Sequence, residues 1–346
     1  MTVRAKAWNL FVSATILMGA LGSMSGKAVA KGSDHDDREG GKMAFCSETA
    51  RTVLRACRAE VTDDYWIAVG NCLNVGDDDE REECRTEAKL ASREGIKECA
   101  EQLEARLDVC AAVGEERYDP DFDPSNFVDP REIGSSVSPN PYLPLVVGNK
   151  WVYESTFTDE DGDEVTEVTT VEVKDETKLI EGVTCVVVND VVEEDGEVIE
   201  DTDDWIAQDL EGNVWYCGEE VKDYETFAGD DPEKPELVAI HGSWKTGREY
   251  AKPGILMFAM PEMEVGTTYR QEVSLGDAED VAEVLSVMGS ETVPAASCSG
   301  DCVVTRDFSP LEPGVNENKY YAPGIGLILE VNPDTGVRTE LVDFSP

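Results

Sequence analysis

From Trp151 onward, apolar and polar positions alternate with a period of two. Trp151-Val152-Tyr153, Val165 to Val173, Val183 to Val192, Val214-Trp215-Tyr216, Thr268 to Val273, Val303 to Phe308, Leu327 to Val331 and Val337 to Val342 read as strands. Turn signals separate them at Asp161-Gly162, Asp195-Gly196, Glu211-Gly212-Asn213 and Pro333-Asp334-Thr335-Gly336. Many strands joined by short hairpins predict an antiparallel β meander, closed as a barrel or half closed as a half-barrel. Ahead of it the rhythm differs. Ser47 to Glu60 and Asp79 to Val113 are rich in Ala, Leu, Arg and Glu and contain no proline, which favours helix. The predicted class is α+β in two domains, an antiparallel helical hairpin followed by a β-rich domain.

Six cysteines define the hairpin. Cys46, Cys57, Cys72, Cys84, Cys99 and Cys110 are spaced 11, 15, 12, 15 and 11 residues apart, so the position numbers of each mirrored pair add to 156. Two helical arms rising at the same rate from a turn at Asp78 produce this symmetry. The spacing predicts nested bonds, Cys46 to Cys110, Cys57 to Cys99 and Cys72 to Cys84, one of roughly 15 connectivities. A gap of 11 keeps neighbouring cysteines on one helix face, whereas a gap of 15 overshoots by about 60°. Breaks at Val61-Thr62-Asp63-Asp64 and at Gly95 are expected to absorb that overshoot. Gly76 is expected to end the first arm in a left-handed cap, and Asp77 or Asp78 to cap the second. The pattern is similar to helical-hairpin proteins with twin C-x9-C motifs, but the spacing here is C-x10-C with a third pair, and no function is carried over.

Four cysteines remain. Cys185 and Cys302 open similar runs, Cys185-Val186-Val187-Val188-Asn189-Asp190 and Cys302-Val303-Val304-Thr305-Arg306-Asp307. A Cys185 to Cys302 bond, leaving Cys217 for Cys298, is the preferred pairing. Cys185 to Cys217 with a local Cys298 to Cys302 bridge is the rival, and spacing does not choose between them.

Residues 1–30 carry the early cations Arg4 and Lys6, an apolar run from Ala7 to Leu21 and a small-x-small end at Ala28-Val29-Ala30, the layout of a secretory signal. The expected organisation is a signal over 1–30, a polar leader over 31–42, the hairpin over 43–114, an acidic Pro-rich linker over 115–144 and the β-rich domain over 145–346. No later segment approaches the roughly 20 apolar residues that span a bilayer. All ten cysteines follow the signal and none forms C-x2-C, so disulfides in a periplasmic or extracellular setting are expected rather than zinc or redox chemistry. The formal charge is −45, and removing Arg4, Lys6 and Lys27 with the signal leaves −48. Such a surface makes nucleic acid and anionic membranes poor partners, and favours cations and basic proteins.

Candidate chemistry is sparse. Asp121, Asp123, Ser125, Asp129 and Glu132 fall at positions 1, 3, 5, 9 and 12 of a twelve-residue frame, the side-chain ligand positions of a calcium loop, with Val128 at the eighth. Asn126 stands where such loops carry glycine, and Pro120 and Pro124 are foreign to the pattern. Only His35 and His241 are present, which excludes any histidine cluster. His241 beside Ser243 would be the only entry to a hydrolase triad, and no G-x-S-x-G elbow supports it. Met257, Met260 and Met263 could offer thioethers to cuprous ion or line the mouth of a barrel for a small apolar ligand.

The β-rich region resembles a widespread set of uncharacterised bacterial exported proteins. The likeness rests on Asn140-Pro141-Tyr142-Leu143-Pro144-Leu145, on Gly148-Asn149-Lys150-Trp151-Val152-Tyr153-Glu154, and on the closing run Lys319-Tyr320-Tyr321-Ala322-Pro323-Gly324-Ile325-Gly326-Leu327. It spans residues 140 to 345 and implies compartment and fold, with no established activity. The expected protein is an exported, non-enzymatic binding or interaction protein, its ligand an unknown protein or a small apolar molecule. A calcium-binding extracytoplasmic protein and an exported hydrolase are the alternatives.

Overall fold

The computed structural model describes residues 44–159 and 162–346. The expected signal, the polar leader with His35, and Asp161 of the first turn signal lie outside the described residues.

Two long helices, α1 (Phe45–Cys72) and α2 (Asp78–Val113), form the hairpin. The three nested disulfides are those the mirror spacing predicts, with Cα–Cα separations of 5.6, 5.8 and 5.6 Å. Both helices are continuous, so the expected breaks do not exist. The residues read as breaks are instead a contact. Gly95 faces Val61, its mirror partner, so closely that a Cβ at 95 would stand 2.9 Å from a Val61 methyl. Cysteines this near need little side-chain bulk between the arms. The overshoot of the 15-residue gaps is taken up without a break in either helix. Gly76 is not left-handed either. The first arm ends at Leu73 in right-handed backbone, the Arg81 guanidinium donates to the Val75 carbonyl at 2.8 Å, and Asp77 caps α2 by accepting from the Asp79 and Glu80 amides.

The β region begins with β1 (Lys150–Thr158), β2 (Glu164–Ile180), β3 (Val183–Glu194), β4 (Glu197–Gln208) and β5 (Val214–Glu225). It continues with short β6 (Glu236–Ala239) and β7 (Trp244–Lys245), then β8 (Lys252–Met257), β9 (Thr268–Arg270) and β10 (Glu272–Val273). The last strands are β11 (Val281–Val293), β12 (Ala296–Phe308), β13 (Glu317–Ala322), β14 (Gly326–Val331) and β15 (Arg338–Ser345). All pairings are antiparallel, running β10-β8-β5-β4-β3-β2-β1-β15-β14-β13-β12-β11-β9, with β6 and β7 appended to β5. β9 and β10 are separated only by Gln271, and they pair with opposite ends of that series, β11 and β8. A single bent segment therefore all but closes the meander into a barrel. The bend passes so near Gly254 of β8 that a Cβ there would lie 2.4 Å from the Arg270 carbonyl oxygen.

Closure explains the second pair of disulfides, which corrects the preferred pairing. Cys185 on β3 bonds Cys217 on β5, and Cys298 bonds Cys302 within β12. Five strands separate β3 from β12 around the wall. Cys185 and Cys217 pack in a small cluster with Ile180, Val183, Trp205 and Ala207, whereas Cys298 and Cys302 belong to the main core. Residues 115–144 do not hang free between the domains. Phe122 and Phe127 cover the small cluster and meet Trp215, and the Val128 amide donates to the Gln208 carbonyl.

The base of the hairpin docks where the barrel closes. Arg106 of α2 grips Glu279 with two bonds of 2.8 Å, both side chains buried. Tyr118 donates to the Pro253 carbonyl and lies under the Arg270 guanidinium.

Gly95→Leu is expected to destabilise the chain to urea by about 1–3 kcal/mol through overpacking. Val61→Ala in the same chain should return part of the loss, because the two side chains compete for one space. Urea unfolding of both variants with the disulfides intact checks this.

Candidate functional site

Along most strands the inward-facing positions change character part-way. On β2 they are Glu167 and Thr169, then Val171 and Val173; on β3, Val186 and Val188, then Asp190; on β4, Glu200, Thr202 and Asp204, then Ile206. β12 to β14 repeat the switch, with Thr305, Asp307, Glu317, Lys319 and Glu330 on the polar side. The barrel thus has an apolar half and a polar half.

The apolar half is filled. Leu143 and Leu145, from the segment preceding β1, pack with Trp151, Tyr153, Val171, Val173, Val188 and Leu327 around a cavity of about 20 Å³, room for roughly one water molecule. The segments that carry the resemblance meet here. The Trp151 indole donates to the Ile325 carbonyl at 2.8 Å, the Tyr153 hydroxyl to the Leu327 carbonyl at 2.9 Å, and the Gly324 amide to the Pro141 carbonyl. Asn140 is buried and ties this segment to Gly212 and Phe258. These residues join the two ends of the β domain.

The polar half is almost entirely acidic. Twelve Asp and Glu residues are buried among the described residues; Glu279 serves Arg106 and Asp209 organises a loop, which leaves ten against one buried lysine, Lys319, whose nearest acids are Glu330, Asp307 and Glu317. Ten full charges at such density would repel strongly in a medium that screens poorly. Protons resolve the conflict. Burial pushes Glu167 up to about 7, with Glu194 adding to it. Burial likewise brings Asp204, Asp280 and Glu330 to about 7, against the pull of Tyr216 on Asp204, of Ser309 on Asp280 and of Lys319 on Glu330. Glu200, Glu272 and Glu317 lie well above the ordinary carboxylate range, first from burial and then from neighbouring acids. Burial pulls Lys319 down, but Glu330, Asp307 and Glu317 outweigh it and hold the ammonium raised. Glu200 Oε2 and Asp204 Oδ2 meet no donor from the protein among the described residues.

Residues singled out by pattern are placed elsewhere. In the calcium frame, Asp123 accepts from the Ser125 amide and hydroxyl, Asp129 from the Arg131 amide and Asp121 from Asn126, each holding its own short turn. Glu132 is exposed on the second of those turns. Among the described residues, no group of three His, Cys, Asp or Glu stands together so as to hold a metal ion. His241 is exposed, and the Ser243 hydroxyl is engaged by the backbone of Val221. Met257 is buried while Met260 and Met263 are exposed, so the three thioethers do not converge. Pattern reasoning missed the acidic interior. Its one trace was the acid run through β4, Glu200-Asp201-Thr202-Asp203-Asp204, which reads as surface.

No protein-family model matches the chain, and no curated protein matches it. Among solved structures, a β-barrel-like protein of a domain of unknown function from Brucella abortus is similar over 59% of this chain and 98% of its own, at 13% identity and a TM-score of 0.31.

The acidic interior fixes the sign of a pH dependence. A carboxyl whose folded pKa is raised binds its proton more tightly in the native state. Its stabilisation is complete below the unfolded value near 4 and is lost as pH climbs through the folded value. Each such group lowers stability by about 1.4 kcal/mol per pH unit in that window. Half-buried Glu115 and exposed Asp119 and Asp123 are lowered by hydrogen bonds and act in the opposite sense, but solvent screens them. The urea midpoint is therefore expected to fall from pH 5 to pH 8, and Glu200→Gln should flatten that fall and raise stability at pH 8. A midpoint independent of pH over this range would show the interior acids to be ionised or otherwise matched.

Proposed function

We propose that this chain is an exported, non-enzymatic interaction protein whose barrel is a filled scaffold and whose helical hairpin carries the contact surface. Five disulfides among the described residues support an oxidising compartment. No helix among those residues is long and apolar enough to cross a membrane.

The observation that carries the reading is at the far end of the hairpin. Trp66, Ile67 and Leu73 are 63%, 61% and 61% exposed, more than half of three large apolar side chains. Trp66, Val69, Gly70 and Leu73 recur at helical spacing and so share one face of α1. Exposed tryptophan with aliphatic neighbours is the composition of an interface centre. The surroundings select the occupant. Residues 60–84 hold nine acids and one base, Arg81, so the complementary partner is a protein with an apolar spot ringed by Lys and Arg. The mirrored disulfides suit this role, because they hold a slender arm rigid at a distance from the barrel.

A photoreactive residue at Ile67, in the chain as exported by its own cell, is expected to give a discrete adduct. The captured partner should present a basic surface, and the yield should fall as salt rises. Trp66→Asp should weaken the association by about 2 kcal/mol while leaving the disulfide map unchanged. Equal adducts from Ile67 and from Thr335, on the turn between β14 and β15, would refute the assignment.

A further inference from the structure

Lys319 has no exposed surface. It lies on β13 with Glu330 of β14 directly opposite, while Asp307 of β12 lies two residues from its own cross-strand partner, Thr305. Its Nζ stands 3.7 Å from Asp307 Oδ2 and 3.3 Å from Glu330 Oε1. The two carboxyl groups are held differently. Asp307 accepts from the Thr305 hydroxyl at 2.5 Å on Oδ1 and from the Gln271 amide at 3.1 Å on Oδ2. Glu330 has the Lys319 ammonium beside Oε1 and, among the described residues, no further donor on either oxygen. An amine, a carboxyl carrying two donors and a second carboxyl left available are fixed together away from solvent.

We infer that Lys319 and Asp307 condense into an intramolecular amide that ties β12 to β13 covalently, with Glu330 carrying the proton. The ammonium gives one proton through Glu330 to the Asp307 carboxylate, and the freed nitrogen lone pair bonds to Asp307 Cγ. Charge developing on the Asp307 oxygen falls on the donors from Thr305 and Gln271, as in any site that stabilises a tetrahedral oxyanion. The carbon–oxygen bond then breaks. The departing hydroxyl takes a second proton from nitrogen and leaves as water, so an ammonium and a carboxylate become an amide and one water with no oxidant or cofactor.

Three physical terms favour the step. The strand register holds the reacting groups in place, which replaces a bimolecular encounter by a near-unimolecular one. A buried ion pair bears the desolvation of two charges, and the amide bears neither. Burial pushes Glu330 up to about 7, where a carboxyl both accepts and returns a proton near neutrality. Glu330 itself is the poorer acceptor for the new bond, because among the described residues the Lys319 ammonium is the one donor near its oxygens, whereas Asp307 keeps the Thr305 and Gln271 donors when the amine attacks.

Mass spectrometry of the whole purified chain after disulfide reduction tests this. The expected mass is lower than that of the exported sequence by one water, and digestion should yield a branched peptide joining Lys319 to Asp307. Asp307→Ala and Lys319→Met should each show the full mass of their own sequence, and Glu330→Gln should accumulate the uncondensed form. If either deletion variant does not fold, the unaltered chain remains decisive. A full sequence mass for that chain would overturn the proposal, and so would a branched peptide through Glu330.

Discussion

Closing a sheet on itself removes water from its interior, and in this chain closure rests on residues 268–273. They leave β11 and join β8 within one bend at Gln271, against a β8 that offers only Gly254 at the closest approach. The hairpin is docked over this seam by the buried Arg106–Glu279 pair and by Tyr118. Removing one member of such a pair leaves a buried charge without a partner, so the helical and β parts are coupled at the seam where the barrel closes. Everything inside the wall follows from that exclusion of solvent.

The dry interior is used in two ways. One half is conventional core, capped by the segment around Leu143 and Leu145 and joined to the closing run near Gly324. The other half holds ten buried acids and one buried lysine, an arrangement that ionised groups could not hold without cations to match them. Burial raises eight of them above the ordinary carboxylate range, so this half of the interior favours acidic surroundings. The same dryness brings Lys319 and Asp307 into a state from which loss of water is downhill. Stability and covalent chemistry are thus consequences of one enclosure.

The hairpin solves a different problem. Two helices alone bury little, and three disulfides at mirrored positions replace the missing core. Gly95 lets the arms approach at Val61, where a larger side chain would separate them. Because cysteines and small residues hold the seam, large apolar side chains are free to face outward, and at the far end Trp66, Ile67 and Leu73 do so. An arm built in this way keeps an exposed apolar tip on a stapled frame.

The disulfide ladder of the hairpin and the β1–β2, β3, β5, β12, β14 and β15 rhythm were legible by counting, because both arise from local periodicity. β4, β6, β7, β8, β11 and β13 were not read as strands, and β9 and β10 were read as one. The period-two rule expects apolar residues inside, and β4 and β13 turn Glu200, Thr202, Asp204, Glu317 and Lys319 inward. The candidate calcium frame showed the converse, an apt spacing whose side chains are engaged in separate turns. Sequence by itself determined helix, strand, charge and the mirrored cysteines, since each depends on neighbours in the chain or on symmetry about one turn. Tertiary structure decided which acids lost water, which lysine met which carboxyl and which of the last four sulfurs joined, because closure of the barrel brings together residues that no spacing along the chain relates.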